Sequence, residues 1–401
     1  MVTTSQAEQI ILAHTKDYGT ELIPFESATG RVLAADIIAD RDLPPYNRAT
    51  MDGISISYAA FEQGVRNYSI KATMAAGDTP IEITQADECI EIMTGAAVPD
   101  STDTVIRYED ITIKESIAAV AIDVLKKGQN IHLKGRDKQQ GKTVVKALCI
   151  IDAAAIGMAA SVGQNTLPVK KLPKVMIVST GDELIAVEEQ PTPYQVRRSN
   201  SYTIAAVLRQ QMIVADTMHL SDDLAITKEK IAQYLGLYDV IILSGGISMG
   251  RFDYVPQALE ELGVTQLFHK VQQRPGKPFW FGIHKDSDTR IFAFPGNPVS
   301  GFMCLYRYFL PWLSASLCIE QTAAYAVLNN DVTFNPALQY FMQVMLRLSP
   351  QGQLFATPVE GNGSGDFSNL LESNAFMELP AEQTNFAKGE VYRVWPFKPL
   401  L

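Results

Sequence analysis

Cysteine is scarce in this chain, and its spacing excludes more than its number does. Cys89, Cys149, Cys304 and Cys318 are the only four in 401 residues, with no Cys-x-x-Cys pair and no cluster of His and Cys. Neither a zinc site nor a disulfide framework is indicated, and the four read as reduced core residues. Basic residues are outnumbered, 34 Lys and Arg against 44 Asp and Glu, for a net charge of -10. That balance speaks against broad nucleic-acid or anionic-membrane binding, because neutralising phosphates needs a basic face. An anionic ligand would require a local cationic cluster. Long apolar runs are missing too: residues 147–163 and 301–319 are the most apolar, but Asp152 interrupts one and Arg307 with Pro311 the other. Neither supplies the roughly 20 apolar residues of a membrane span, so both read as buried helices. The opening MVTTSQAEQI has no basic stretch leading into an apolar one, so no secretory signal is expected and a cytoplasmic location is.

What is present is ordinary globular composition, 47% hydrophobic and 19% charged, in a length that predicts about two to four domains. Ser5 and Glu8 have capping-box spacing before Ile10 and Ile11, which predicts a helix from near Ser5 to near Gly19. Leu43-Pro44-Pro45 is a rigid extended break, placing a boundary near Tyr46. From there to about Gly141, short alternating runs (54–58, 68–74, 88–93, 104–107, 117–123) separated by Gly, Pro and Asp turns describe a β-rich insert. The small-residue run Asp152–Val162 predicts a tightly packed helix that returns to the N-terminal one. After Pro173, strand and helix alternate through to the helix following Pro298, the pattern of a doubly wound α/β sheet. From about Gln321 alternation returns, with Ser349-Pro350-Gln351-Gly352 as a hairpin turn, so a small β domain closes the chain. The expected domains are 1–45 plus 141–172, 46–140, 173–320 and 321–401.

Ligands of such sheets bind at the carboxyl ends of the strands, and there this sequence is richest in small, polar and acidic residues. The predicted strands run into Ser179-Thr180-Gly181-Asp182-Glu183, Ser221-Asp222-Asp223, Ser244-Gly245-Gly246-Ile247-Ser248 and Pro295-Gly296-Asn297-Pro298. Glycine lets a backbone come close to a ligand and a neighbouring hydroxyl donates to it, although one such turn alone equally suits a plain strand-to-helix connection. Asn297 can cap the next helix with Pro298 in its first position, leaving main-chain N–H groups for an anion or simply starting the helix. Asp182, Glu183, Asp222, Asp223 and Asp253 offer hard oxygen ligands suited to Mg²⁺ beside phosphates, with no histidine read among them. Lys270, Arg274 and Lys277 form the missing cationic cluster, the first two sharing a face if the stretch is extended.

Together these residues resemble the MoeA family of molybdopterin molybdenumtransferases, which includes the E domain of gephyrin. The likeness also rests on Thr50-Met51-Asp52-Gly53, Met93-Thr94-Gly95-Ala96, Gly135-Arg136-Asp137, Ser199-Asn200-Ser201 and Pro275-Gly276-Lys277-Pro278. It implies a discontinuous linker domain, a β-rich insert, a molybdopterin-binding α/β domain and a C-terminal β barrel. It implies a homodimer in which Asp52, Thr94 and Asp137 enter the cleft from the partner subunit. The implied reaction inserts molybdate into adenylylated molybdopterin with Mg²⁺ and hydrolyses the adenylate to AMP. Asp52, Asp137, Glu183 and Asp253 would be catalytic, and Glu183, Asp222 and Asp253 would hold the metal. Substrate would be bound by Thr94, Ser179, Gly181, Asp222, Ser244, Gly245, Gly246, Ser248, Lys270, Arg274, Lys277, Pro295, Gly296, Asn297 and Ser364. Transient contact with the molybdopterin adenylyltransferase and with apo-molybdoenzymes is also implied. Where relatives often carry an oxyanion-binding arginine this chain has Gln343, with Arg347 nearby. The rivals are an adenylyltransferase-like enzyme, whose members lack the insert and barrel, and a gephyrin-like scaffold.

Overall fold

The computed structural model describes residues 1–247 and 253–399. The first helix, Thr4–Leu12, opens on a capping box, but not the predicted one. Thr3 Oγ1 accepts from Gln6 N at 3.2 Å and Gln6 Oε1 accepts from Thr3 N at 2.9 Å, two residues ahead of the Ser5/Glu8 pair. The helix stops at Leu12 rather than near Gly19. His14 Nδ1 reaches back to the Ile10 carbonyl at 2.7 Å, and the His14 carbonyl takes Arg290 Nε and Trp312 Nε1 at 3.1 and 3.0 Å. Its apolar face, Ala7 and Ile11, is buried in the core of the α/β unit.

The helix Ala153–Ser161, capped by Asp152 through Ala155 N at 2.8 Å, therefore does not pair with the first helix. Its small residues Ala155 and Ala159 pack with Ala28, Leu33, Ile37, Leu167 and Val169. Strands tie this unit together instead: Thr166–Lys170 runs antiparallel to Thr20–Pro24, and Thr143–Val145 to Ile37–Ile38. Between the two passes lies a six-stranded sheet in the order Thr104–Arg107, Gly53–Ile56, Glu88–Ile92, Asn67–Met74, Ile117–Val120, Ile111–Lys114. Its core holds Ile54, Ile56, Tyr68 and Ile106.

The α/β sheet is ordered Asp216–Leu220, Val175–Thr180, Val240–Ser244, Thr289–Phe294, Trp280–His284, Val264–His269. The first four strands are parallel, as the alternation predicts, and the last two run antiparallel to their neighbours. A hairpin from Trp280–His284 to Thr289–Phe294 makes that reversal, the common way to finish a parallel sheet. Strand Val240–Ser244 shows why its run is continuously apolar. Val240 and Ile242 face one core while Ile241 and Leu243 face the other, so both sides are covered. Ser179 pairs with Ser244 and Ser244 with Phe294, which brings the strand ends level.

The C-terminal strands close on themselves. Gln339–Leu348 pairs with Leu354–Pro358 and with Ala375–Leu379; Ala324–Leu328 and Val391–Pro396 complete a five-stranded barrel. Gly352, at φ +81°, supplies the left-handed turn in the predicted hairpin.

Candidate active site

One cleft of ≈ 800 Å³ lies where the parallel strands end, within the size range of small-molecule sites. Strand Val175–Thr180 delivers Ser179, Thr180, Gly181 and Glu183 to it, and strand Asp216–Leu220 delivers Asp222. Val240–Ser244 delivers Ser244, Gly245 and Gly246, and Thr289–Phe294 delivers Pro295, Gly296 and Asn297. Asp253, Lys277 and the barrel residue Ser364 also line it. Ser248 lies outside the described residues.

The acids are coupled through the main chain. Asp182 N donates to Asp222 Oδ2 at 3.3 Å and Asp222 N to Asp182 Oδ1 at 3.0 Å, fastening two strand-end loops together. Burial pushes the Asp222 carboxyl above its ordinary range; the Asp182 N–H opposes this, and the charges of Asp182, Glu183 and Asp253 add to it. A histidine does accompany these acids, contrary to expectation. His219 Nδ1 is 3.1 Å from Ser179 Oγ, because the register pairs Ser179 with His219. Burial and the Arg198 charge lower the ring's pKa, with Ser179, Asp222 and Asp182 acting against them. Among the described residues no three His, Cys, Asp or Glu side chains converge as a ready-made cation cage.

Two glycines are needed for close approach. Gly245, at φ +100°, would place a Cβ 2.8 Å from the Thr180 carbonyl oxygen. Gly276, at φ +88°, would place one 2.9 Å from Cys304 Sγ, Gln273 Nε2 and Met303 Cε. Gln273 holds that turn from beneath: it donates to Gly276 O at 3.0 Å and accepts from the buried Tyr308 hydroxyl.

The cationic stretch divides. Lys277 lines the cleft, but Lys270 sits at φ +73°, which breaks the extension that would have put it on one face with Arg274. Arg274 turns to the barrel, its guanidinium 5.8 Å from the Phe334 ring centroid. Neither lines the cleft; Arg197 and Arg198 do, and they were not among the predicted ligand contacts. Their signal was the Arg-Arg pair ahead of Ser199-Asn200, the latter also in the cleft. Asn297 does not cap its helix. Its Nδ2 donates to Ser364 Oγ at 2.9 Å while Val299 N donates to Ser364 O at 3.2 Å, so a barrel loop occupies the helix start proposed for an anion. Gln343 is buried in the barrel and accepts from Asn369, and Arg347 lies in a separate shallow groove with Ser349 and Thr357; neither lines the cleft.

Asp52, Thr94 and Asp137 are on the insert and do not line the cleft of their own chain. Asp52 Oδ1 accepts from Thr94 N at 2.6 Å and Thr94 Oγ1 at 2.7 Å, bonds that hold its carboxyl below the ordinary range. Asp137 Oδ1 is 2.9 Å from His132 Nε2, and Arg48 donates to His132 Nδ1 at 3.2 Å. Both carboxylates are exposed. No helix among the described residues is long and apolar enough to cross a membrane.

Known proteins are similar to this chain in sequence and fold. Residues 2–163 match the family model described as "MoeA N-terminal region (domain I and II)", residues 176–315 "Probable molybdopterin binding domain", and residues 325–397 "MoeA C-terminal region (domain IV)". The molybdopterin molybdenumtransferase of Synechocystis sp. is 36% identical over 98% of this chain and 99% of its own. That of Haemophilus influenzae is 29% identical over 100% of both. The crystal structure of the molybdopterin biosynthesis MoeA protein from Pyrococcus horikosii superposes with a TM-score of 0.85 at 26% identity, covering 100% of both chains.

Proposed function

This chain belongs to the MoeA family, and from that premise we infer that it is a molybdopterin molybdenumtransferase, inserting molybdenum into molybdopterin during molybdenum-cofactor biosynthesis. One observation carries the reading to this chain's own residues: Glu183, Asp222, Asp253 and Lys277 line a single cleft with the strand-end glycines. The adenylyltransferase rival is not favoured, since the insert and the barrel are both present; the scaffold rival is not favoured, since the relatives that align over the full length are named molybdopterin molybdenumtransferases.

The finer chemistry that we propose is insertion of molybdate into adenylylated molybdopterin, with hydrolysis of the adenylate and release of AMP. Lys277, Arg197 and Arg198 attract the oxyanion and the phosphate oxygens by charge-assisted hydrogen bonds. Gly245 and Gly246 let the main chain come against the ligand. The acidic set fits Mg²⁺: the donors are hard oxygens, and both the burial that chiefly raises Asp222 and the neighbouring carboxylate charges that add to it are offset by a bound cation. A ready-made three-ligand cage is not required, because Mg²⁺ is ordinarily held by one or two carboxylates with phosphate and water. Glu183, Asp222 and Asp253 would hold it, and when bound it supplies neutralisation of charge on the leaving phosphate.

The exposed pairs Asp52–Thr94 and His132–Asp137 support a homodimer in which the insert of one subunit completes the cleft of the other. The cytoplasm suits its free thiols, and transient contact with the adenylyltransferase and with apo-molybdoenzymes follows from the reaction's position. Purified chain with adenylylated molybdopterin and Mg²⁺ should release AMP only when molybdate is added, and the product should activate an apo-molybdoenzyme. AMP release independent of molybdate, with no active cofactor formed, would count against the reading.

A further inference from the structure

Asn200 opens the helix Asn200–Gln210 and lines the cleft. An asparagine at a helix start ordinarily serves its own first turn, accepting from main-chain N–H groups. This one donates elsewhere. Its Nδ2 reaches Ser244 Oγ at 3.0 Å and the Gly296 carbonyl at 2.7 Å. Ser244 ends one strand and Gly296 lies just beyond the adjacent one, whose register sets Ser244 opposite Phe294. A carbonyl can only accept, so Gly296 settles which end of the amide is nitrogen. Both amide protons are then committed, and Oδ1 remains an acceptor to which none of the described residues donates. Ser244 carries the complement. Its Oγ receives the Asn200 proton, which leaves its own O–H to donate, and at 3% exposure the residue is held by the strand end. Asn200 and Ser244 both line the cleft, so together they offer it one acceptor and one donor whose roles cannot be exchanged.

We infer that Asn200 and Ser244 form a specificity-determining pair that reads an N–H donor beside a ring acceptor on a bound heterocycle. The inference rests on the molybdopterin reading above and names which part of that ligand is read. Asn200 Oδ1 accepts from the ligand N–H while the Ser244 hydroxyl donates to the adjacent ring oxygen or nitrogen. A ligand edge with the opposite arrangement leaves two like partners facing each other, and buried mismatches of this kind are the main source of discrimination between similar substrates. Two parts of the substrate carry the required edge. The pyrimidinone ring of the pterin has a lactam N–H beside its carbonyl, and adenine has an exocyclic amine beside a ring nitrogen.

The test measures equilibrium binding of molybdopterin and, separately, of AMP to the full chain as wild type, Asn200→Ala and Ser244→Ala, with a melting curve for each. Each variant should weaken one ligand by about tenfold, the scale of one hydrogen bond, and leave the other within about twofold. The ligand that responds identifies the heterocycle. Equal weakening of both ligands would show that Asn200 only braces the strand ends, and no weakening of either would show that it reads nothing; both results overturn the inference. A wild-type chain that binds neither ligand would overturn the molybdopterin reading itself, a failure visible before any variant is made.

Discussion

At Asp222, burial and three neighbouring carboxylates act in the same direction, so the folded chain holds its proton more tightly than the ordinary value of 3.8 implies. The sign follows by linkage. A carboxyl whose folded pKa is raised contributes stability below its unfolded pKa, and that contribution is lost as pH rises through the folded value. At neutral pH the charged side chain is therefore a liability that function retains. Asp222→Asn, which keeps an acceptor for Asp182 N, should stabilise the metal-free chain at pH 7. The gain should shrink as pH falls toward the ordinary carboxylate range, and Mg²⁺ should raise the melting temperature of the wild type more than that of the variant. Calorimetry at several pH values checks this; equal stability with an equal Mg²⁺ response would remove Asp222 from the ion's surroundings. Gly245 is the second residue on which the cleft depends. Gly245→Ala puts a methyl group 2.8 Å from the Thr180 carbonyl oxygen at φ +100°. Urea unfolding should show a loss of about 2 kcal/mol, the scale of a strained left-handed residue.

Helices, strands and loops differ in how much of them was legible before folding. Strand Thr104–Arg107 and the 339–358 hairpin follow from alternation and turn residues, which are local properties. The first helix was legible in existence but not in detail, because Thr3/Gln6 and Ser5/Glu8 have the same spacing and sequence alone gives no reason to choose. Substitution separates them: Thr3→Ala should cost about 1 kcal/mol in urea unfolding and Ser5→Ala less than about 0.5 kcal/mol. Equal losses would mean that both boxes contribute. The acid-bearing strand ends were legible because parallel topology forces such endings to one edge. What was not legible came from far along the chain. Ser364 takes Val299 N at the helix start after Asn297, where the sequence allowed either an anion or plain helix initiation, and nothing near residue 297 announces a loop that folds back from the barrel. Lys270 and Arg274 looked like face-sharing strand neighbours until the left-handed turn at Lys270 separated them. Arg197 and Arg198 were not legible as cleft residues, since the segment before the helix Asn200–Gln210 has no periodicity to orient them.

The units are held against one another by buried charge as well as by apolar packing. Arg307, 3% exposed in its side chain, pairs through Nη2 with Glu8 of the first helix at 3.0 Å and through Nε with Glu378 of the barrel at 3.3 Å. Trp395 Nε1 also donates to Glu378, at 2.8 Å, and the guanidinium lies 4.5 Å from the Trp395 ring centroid. Removing one partner of such a group strands the other, so Arg307→Met should cost about 3 kcal/mol, and adding Glu378→Gln should recover part of it. Limited proteolysis should then release the barrel from the single variant sooner than from the double. The cleft itself raises a question of assembly, because Glu183 and Asp253 line it while Asp52 and Asp137 stand exposed on the insert of the same chain. If two copies exchange inserts around a two-fold axis, each cleft draws Glu183 from one chain and Asp52 from the other. Mixing inactive Asp52→Asn with inactive Glu183→Gln chains then makes heterodimers in which one cleft carries both lesions and the other neither. Random reassociation makes about half the dimers mixed, each with one intact cleft of two, so about a quarter of wild-type molybdenum insertion should return. If each cleft used its own insert, every site in the mixture would carry one lesion and no activity would return.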